Sequence, residues 1–424
     1  MEILESIFSL KDITVVLFGA FFITIIGYAL GRITIKGLSL GTSGVFLMSL
    51  LFGYLFTLPV LKNIPVLDKF FIADSKAASV EFYGVFGDIG LILFVTAVGF
   101  IAGPSFFKNL KKNAKSYVLL GALIVGSGAL VCAAFSLIPG IGSAFGTGIM
   151  SGALTSTPGF SAAKAAVAPS QVGLVSLGHA IAYPFGVVGV VIFVQIIPKL
   201  LKADMSKERE LLKKADNSES VEQVKDSKKR IELDEFGLGV FAIAVVLGIL
   251  LGSITIPMSS KGFDGAKFSL GNTGGPLIMA LILGHFGRIG KLSLKVPDKT
   301  LKVFREFGLM LFLLGAGVEG GVELVSQIQN SEYGAMLLLY GFLGGAVMTT
   351  IPLFIGYFFA KKVLKISLLN NLGSITGGMT STPALGTLIG VAGTDDVAAA
   401  YASTYPVALV LVVLASQFIA VLIK

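Results

Sequence analysis

Two short segments of this chain of 424 residues repeat the same four residue types and have the chemistry of a polar binding site. Residues 155–158 and 380–383 both read Thr-Ser-Thr-Pro, and glycine and hydroxyl residues precede each copy. A proline removes a helical hydrogen bond. The N–H groups and hydroxyls that a helix break exposes can bind a carboxylate, and the hydroxyl oxygens can bind a sodium ion. We therefore predict that both copies bind substrate, through Thr155, Ser156, Thr157, Pro158, Gly159, Thr380, Ser381, Thr382 and Pro383.

The alternative role for these segments is purely structural. Small residues let helices pack closely in a membrane, and a serine or threonine hydroxyl often bonds to its own backbone. Helix packing alone does not explain an identity of four residues in two distant places. The binding interpretation is therefore preferred.

Lys164 lies six residues after Pro158 in a mostly apolar setting. A charge at membrane depth is costly and marks a functional site by default. The ammonium group could pair with a substrate carboxylate or with an acid such as Asp88, whereas the structural alternative is that its long stem reaches the membrane surface. The corresponding residue of the other segment is Ile389, so any role of this charge is asymmetric.

Three acids are candidates for coupling transport to a proton or a sodium ion. Asp88 and Glu306 stand at matching places, which we assign to the start of an apolar element, where an acid would also favour the positive end of a helix dipole. Glu319 lies in a glycine-rich stretch within or near the end of an apolar run. It could bind an ion or simply mark the outer edge of the membrane.

The sequence gives no sign of a metal centre or of catalytic residues. Cys132 is the single cysteine, and two histidines, His179 and His285, are too few for a His-based cluster and are expected to be packed or interfacial residues. Nucleophile-elbow, zinc-protease and phosphate-loop motifs are missing from the sequence. We therefore expect a protein that is not an enzyme, has no cofactor and does not use ATP.

The composition is that of a membrane protein. Hydrophobic residues make up 54% of the chain and charged residues only 14%, with a mean hydropathy of +0.88, whereas soluble domains have about 25% charged residues. The net charge of +8 is scattered between apolar runs, which argues against a nucleic-acid partner. The acidic N-terminus without a cleavage pattern predicts a retained first span.

The apolar runs form two sets of six. The charged segment between them, residues 199–235, holds ten basic and ten acidic residues and predicts a solvated helix or a disordered tether, with a regulatory contact as the lesser alternative. We divide the chain into a first transmembrane repeat at 1–198, this linker at 199–235 and a second transmembrane repeat at 236–424. The predicted apolar elements are 13–31, 40–62, 87–107, 117–139, 146–168, 174–198, 236–257, 270–287, 303–325, 334–360, 369–392 and 399–423.

Four landmarks recur in the same order in both sets, at offsets of 218 to 225 residues. Besides the Thr-Ser-Thr-Pro pair they are 27–35 with 248–256, 86–91 with 304–309, and the Tyr-Pro pairs, which we expect to kink the last span of each set near the site. A shorter Ser-Leu-Gly match joins 39–41 to 269–271. An internal duplication follows from these matches.

The predicted fold class is an all-α polytopic membrane protein with two repeats, each of about five spans plus a broken or re-entrant Thr-Ser-Thr-Pro element. If that element does not cross the membrane, each repeat has an odd number of spans and the two are inverted; if it crosses, they are parallel. The distribution of basic residues fits both models nearly equally well. The dense basic cluster at 108–115 favours the inverted model.

These matched motifs, together with the hydrophilic linker, resemble the bacterial aspartate–alanine exchanger family over nearly the whole chain. A weaker likeness runs to the sodium–glutamate symporters, with their inverted five-span repeats. The family resemblance implies an inner-membrane carrier of small carboxylates or amino acids, a homodimer with elevator-like motion, periplasmic termini and a cytoplasmic linker. The linker departs from the family pattern because 37 residues are too few for the usual pair of regulatory domains.

A gradient-driven transporter explains the duplication and the paired breaks. We expect an exchanger of small carboxylate-bearing solutes, such as aspartate and alanine or dicarboxylates, working by alternating access. The alternative is a sodium- or proton-coupled symporter of amino acids or carboxylates. A channel is less favoured because no filter motif is visible.

Overall fold

The computed structural model describes residues 12–35, 38–39, 42–64, 67–72, 78–216, 231–257, 267–330 and 334–423. Within these ranges the chain is almost entirely helical, as the composition predicts. The α-helices there are α1 Asp12–Arg32, α2 Ser43–Phe56, α3 Ala78–Ser136, α4 Gly142–Ala153, α5 Thr157–Ala166, α6 Val172–Leu200, α7 Met205–Asp216, α8 Leu238–Ser253, α9 Gly271–Phe286, α10 Asp298–Asn330, α11 Gly334–Lys362, α12 Leu368–Gly378, α13 Thr382–Ala392 and α14 Val397–Leu422.

Short extended segments form three antiparallel hairpins of two residues a strand. They are β1 Thr34–Ile35 with β2 Leu38–Ser39, β3 Ile256–Pro257 with β4 Lys267–Phe268, and β5 Arg288–Ile289 with β6 Leu292–Ser293. Single 3₁₀ turns lie at Pro59–Asn63, Leu67–Phe70 and Pro169–Gln171.

Six helices in the described part of the chain are long and apolar enough to cross a membrane, and several other apolar helices are shorter. The six stretches are Ile13–Arg32, Ala78–Pro104, Lys115–Ser136, Val172–Leu200, Met336–Lys362 and Val397–Leu422. A crossing helix needs about 20 residues because each residue advances the chain by about 1.5 Å. The protein is therefore a multi-pass membrane protein.

Three predicted apolar elements form shorter helices than expected. The elements predicted at 40–62, 236–257 and 270–287 become α2, α8 and α9, which have 14, 16 and 16 residues. The chain leaves the helix at the extended residues that precede Pro59 and follow Ser253. The predictions followed apolar composition, so the predicted elements run past the ends of these helices.

A different boundary error concerns α3. The predicted elements 87–107 and 117–139 belong to one continuous helix of 59 residues that contains Pro104. The basic cluster expected in a loop at 108–115 is therefore helical, although of its side chains only that of Lys115 is among those described. Lysine is a good helix former, so the backbone continues through the charged stretch.

The order of elements recurs along the chain. A helix, a two-residue hairpin and a short helix follow one another as α1, β1–β2, α2 and again as α8, β3–β4, α9. Two short helices and a long one likewise recur as α4, α5, α6 and as α12, α13, α14. Leu40 and Gly41 of the Ser-Leu-Gly match, and residues 217–230 of the predicted linker, lie outside the described residues.

The chain forms two compact units, which do not follow the division at the linker. A smaller unit takes its residues from Met1–Leu91 and Gly308–Leu339, and a larger one from Ile92–Phe307 and Tyr340–Lys424. In the smaller unit α1 packs on α2, because a Cβ on Gly27 would meet the backbone of Val45. The matching contact in the larger unit joins α8 to α9, where Gly248 lies against the backbone of Pro276.

Within the larger unit, each short helix that begins at a Thr-Ser-Thr-Pro motif packs on the long helix of the other repeat. Helix α5 contacts α14 more extensively than α6, and α13 contacts α6 more extensively than α14. Gly159 of α5 lies against Val412 of α14. The two repeats thus interlock around the motifs.

The linker helix α7 also packs in the larger unit. Leu212 is buried, and Arg209 Nη1 donates a hydrogen bond of 3.0 Å to the carbonyl of Ala392, the last residue of α13. A basic side chain at a helix C-terminus satisfies an open carbonyl and favours the negative end of the dipole. This part of the linker is therefore docked rather than fully solvated.

Candidate functional site

The two Thr-Ser-Thr-Pro motifs interrupt helical structure in the same way. We call residues 154–156, between α4 and α5, the first break, and residues 379–381, between α12 and α13, the second break. Thr155 and Thr380 both have a φ of 50°. A β-branched residue rarely adopts this left-handed conformation, which costs about 1–3 kcal/mol and persists only where the surroundings hold it.

The breaks bind each other through reciprocal hydrogen bonds. Thr155 Oγ1 donates to the carbonyls of Thr380 and Met379, at 3.2 and 3.3 Å, and Thr380 Oγ1 donates to the carbonyl of Leu154 at 2.5 Å. Each hydroxyl thus satisfies carbonyls that the interrupted helix of the other repeat leaves open. Such an exchange between matched residues is the contact pattern of a two-fold arrangement.

The prolines stand at helix starts rather than inside helices. Pro158 and Pro383 occupy the first turn of α5 and α13, where a missing N–H costs no hydrogen bond. The expectation that each proline removes a helical hydrogen bond is therefore wrong. The interruption itself comes from the left-handed threonine three residues before each proline.

The described side chains of both breaks are buried. Thr155, Ser156, Thr380, Ser381 and Thr382 are each less than a tenth exposed. Gly159 and Pro383 are buried as well, whereas the Thr157 side chain lies outside the described set. The structure thus brings the predicted motif residues together in one buried polar region.

The two motif serines differ in their contacts. Ser156 Oγ accepts a hydrogen bond of 3.2 Å from the N–H of Gly159, which makes it a side-chain cap of α5. Ser381 stands at the same place before α13, but its Oγ is buried without a hydrogen-bond partner and forms no cap. The two copies of one motif are therefore chemically unequal.

Lys164 lies in the last turn of α5 and is half-buried. Its Nζ is 4.4 Å from the ring centre of Phe160, which in turn stacks on His179 at 4.2 Å. No ion pair joins Lys164 to an acid in the part of the chain that the structure describes, so the expected pairing with Asp88 is not found. The ammonium group is held by a cation–π contact.

His179 is a packed residue, as expected. Its Nδ1 is 2.9 Å from Ser151 Oγ, and its ring lies 5.3 Å from that of Tyr183. Among the described residues no group of histidine, cysteine and acidic side chains is arranged to hold a metal ion.

The structure corrects the assignment of Asp88 and Glu306 to helix starts. Helix α3 begins at Ala78 and α10 at Asp298, so both acids lie more than two turns inside their helices, where the dipole of the first turn no longer acts. Both side chains are exposed.

The contacts of the coupling candidates also differ. Glu306 Oε1 accepts a hydrogen bond of 2.7 Å from Arg305, which is itself buried and also pairs with Asp395 in the turn after α13. Glu319 lies beside Gly84 in the smaller unit, since a Cβ there would meet its carboxylate. Glu306 is therefore an acid with a fixed cationic partner.

Sequence reasoning missed three residues of the larger unit, of which Tyr401 and Thr349 lie near the breaks. Tyr401, fully buried, lies 222 residues after His179, the same offset that joins the two Tyr-Pro pairs, so the repeat itself could have identified it. Thr349 Oγ1 donates to the carbonyl of Ala153 at 3.3 Å, and Arg305 forms the ion pairs described above. The latter two have no signal in the sequence.

Comparison with known proteins agrees with this architecture. A family model described as a predicted permease membrane region matches residues 19–199 and again residues 240–421. The chain is 26% identical to an uncharacterized transporter of Bacteroides fragilis, over 96% of this chain and 98% of that one. It is also 26% identical to a putative transport protein of Edwardsiella ictaluri, over 79% of this chain and 88% of the relative.

A third relative is more similar over a shorter stretch. A putative transport protein of Serratia proteamaculans is 41% identical over 181 residues, which is 42% of this chain and 31% of the relative. No solved structure matches the chain. Because the family model covers most of both repeats, the chain belongs to the aspartate–alanine exchanger family of membrane permeases.

Proposed function

We propose that this protein is a secondary active transporter that exchanges small carboxylate-bearing solutes, such as aspartate and alanine or dicarboxylates. The observation that supports it is the meeting of two buried helix breaks through reciprocal threonine hydrogen bonds. A pair of interrupted helices at matched places in two repeats is the arrangement by which many transporters form their substrate site. The relatives are named as transporters, without a substrate.

The chemistry of the region suits an anion. Helices α5 and α13 both begin at a break, and a helix N-terminus presents open N–H groups and a partial positive charge. Lys164 adds a full positive charge on α5 that no described acid neutralises. These groups would hold a carboxylate without a metal ion.

Alternating access needs a part that moves. Both breaks belong to the larger unit, and we propose that this unit carries the substrate in an elevator-like motion relative to the smaller one. Repeats of inverted topology, with both termini outside the cell membrane and the linker in the cytoplasm, are part of the proposal and rest on the basic cluster at 108–115 and on the family resemblance. A homodimer is proposed by analogy with the family.

Coupling to an ion is the competing possibility. Asp88, on a helix long and apolar enough to cross a membrane, and Glu319, on α10, are proposed proton or sodium ligands. The ion pair of Glu306 with Arg305 makes Glu306 the weakest candidate of the three. Ion coupling would make the protein a symporter.

Counterflow in proteoliposomes tests the proposal. Purified protein is reconstituted in vesicles loaded with unlabelled L-aspartate, L-alanine or succinate, and uptake of the labelled solute is measured with empty vesicles as the control. An exchanger gives uptake that depends on the internal solute and is insensitive to external sodium. Uptake that needs external sodium or a proton gradient but no internal solute indicates the symporter, and no acceleration with any carboxylate or amino acid contradicts the proposal.

A further inference from the structure

We propose that the second break, and not the first, receives the carboxylate of the transported solute, with Ser381 as its specificity-determining residue. The inference rests on the proposed function and adds to it which copy of the motif binds the anion. The inference depends on a comparison of equivalent residues in the two repeats. Where two residues of identical sequence have different contacts, the one with partners inside the protein has a structural role and the one without partners is free to bind a ligand.

The first break already uses its own polar groups. Ser156 Oγ accepts the N–H of Gly159, and the carbonyl of Ala153 accepts the hydroxyl of Thr349. In the same repeat, His179 Nδ1 on α6 is paired with Ser151 Oγ on α4. Ser156, the carbonyl of Ala153 and His179 Nδ1 therefore have partners within the described part of the protein.

The second break leaves the equivalent groups open. Ser381 is fully buried, its Oγ has no hydrogen-bond partner, and α13 has no side-chain cap. Ala384, the residue equivalent to Gly159, therefore lacks the serine contact that closes α5. A buried hydroxyl without a partner is rare in folded proteins and calls for an explanation such as an absent ligand.

Two further substitutions between the repeats open the same region. Tyr401, the equivalent of His179, is fully buried, and its hydroxyl lies beside Thr382 without a hydrogen bond of ordinary geometry. The place of Thr349 is taken by Ile124, whose side chain packs on Gly378 and has no hydroxyl to donate. The second break thus combines two unpaired hydroxyls with an uncapped helix N-terminus.

These groups fit a carboxylate. A carboxylate accepts about four hydrogen bonds, and here the hydroxyls of Ser381 and Tyr401 and the first N–H groups of α13 would donate to it. The positive end of the α13 dipole favours the negative charge. A cation would instead be repelled by this end of the helix, so the site selects an anion.

The test compares two variants of one motif, Ser381→Ala and Ser156→Ala, in the full-length protein. We expect Ser381→Ala to raise the KM for L-aspartate counterflow by roughly tenfold or more with a smaller change in maximal rate, because one hydrogen bond to a charged group is lost. Ser156→Ala should lower the melting temperature but change KM less than about threefold. Ser381→Thr, which keeps a hydroxyl, should restore part of the affinity, and Tyr401→Phe should weaken it.

Direct binding keeps the test independent of turnover. The shift of melting temperature produced by L-aspartate or succinate is measured on detergent-purified protein, and Ser381→Ala should lose this shift while keeping the elution profile of the wild type. An unchanged KM and shift in Ser381→Ala, or a larger loss in Ser156→Ala, overturns the inference and leaves the transport proposal standing. A wild type that neither binds nor exchanges any of these solutes overturns both.

Discussion

At the scale of single residues, the left-handed threonines decide the shape of the site. Thr155 and Thr380 turn the chain out of α4 and α12, and each then donates its hydroxyl to the opposite break. The conformation is unfavourable for a β-branched residue, so the reciprocal hydrogen bonds must help to offset it. The hydroxyl, rather than the size of the side chain, is therefore the important property at these positions.

Replacing Thr380 by valine should separate these effects. Thr380→Val keeps the shape but leaves the buried carbonyl of Leu154 without its donor, which costs about 1–3 kcal/mol. We expect a lower melting temperature in detergent and slower counterflow. Thr380→Ser keeps the donor and relieves the β-branch, so it should stay close to the wild type; equal losses in both variants would contradict this account.

Lys164 gives a prediction about charge. Because no described acid pairs with it, Lys164→Met should leave the melting temperature nearly unchanged. Uptake of an anionic solute should fall by roughly tenfold, since a charge-assisted contact of about 1.5–3 kcal/mol is lost. Lys164→Arg, measured in the same counterflow assay, should retain most of the rate, and full activity of the methionine variant would show that Lys164 only anchors α5.

At the scale of elements, glycine sets how closely helices approach. A Cβ on Gly248 would meet the backbone of Pro276, whereas Gly126 in α3 has no atom within 4 Å of such a Cβ. Gly248→Ala should therefore separate α8 from α9 and lower the melting temperature. Gly126→Ala should be neutral or slightly stabilising, because alanine is favoured over glycine in a helix by about 1 kcal/mol; a melting temperature that falls equally in both variants would contradict the argument.

The start of α8 gives a pH dependence. Asp234 Oδ2 accepts from the N–H of Gly239 at 2.7 Å and Oδ1 from that of Leu238 at 2.8 Å, and these backbone hydrogen bonds lower the pKa of the carboxyl. The lowered pKa means that the cap stabilises the fold above the unfolded pKa of about 3.9 and is lost as the pH falls through the folded value.

Asp234→Asn should therefore lower the melting temperature at pH 7. The difference from the wild type should begin to shrink below about pH 4, where the unfolded chain takes up a proton at Asp234, and should shrink further as the pH falls through the lower pKa of the folded protein. Thermal unfolding of both proteins between pH 3 and pH 8 measures this, and Glu235→Gln, next in the chain, is the matched control. A difference that is constant with pH would mean that the charge of Asp234 has no part in the cap.

At the scale of the whole molecule, the duplication of the chain and its compact units are two separate divisions. The duplication divides the sequence at the linker, whereas each unit contains segments from before and after it. The alignment with the B. fragilis relative runs over 557 positions, more than the 424 residues of this chain, so that relative has segments that this chain lacks.

Inverted repeats make a definite prediction about topology. An even number of crossings in the two inverted repeats together leaves both ends of the chain on the same, outer side, with the linker inside. The test uses a reporter that is active only outside the cytoplasm. Fused after Lys424, this reporter should be active; inserted within 217–230, it should be inactive. Inactivity of both reporters would contradict this topology and support parallel repeats, in which both ends and the linker are cytoplasmic.

The sequence by itself determined the membrane class, the helical content, the duplication and the family, because apolar composition and repeated motifs are local properties of the chain. It also identified both Thr-Ser-Thr-Pro motifs as interruptions. It misjudged the ends of α2, α8 and α9 and the position of Asp88 and Glu306, since apolar composition does not mark where a helix begins.

Only the tertiary structure decided how the two motifs are used. The contacts of Thr155 with Thr380 join residues 225 positions apart, and no local pattern encodes such a pairing. The same holds for the difference between Ser156 and Ser381, which have identical neighbours in sequence. One hydroxyl caps a helix and the other is unpaired because their surroundings come from distant, unequal residues such as Thr349 and Ile124.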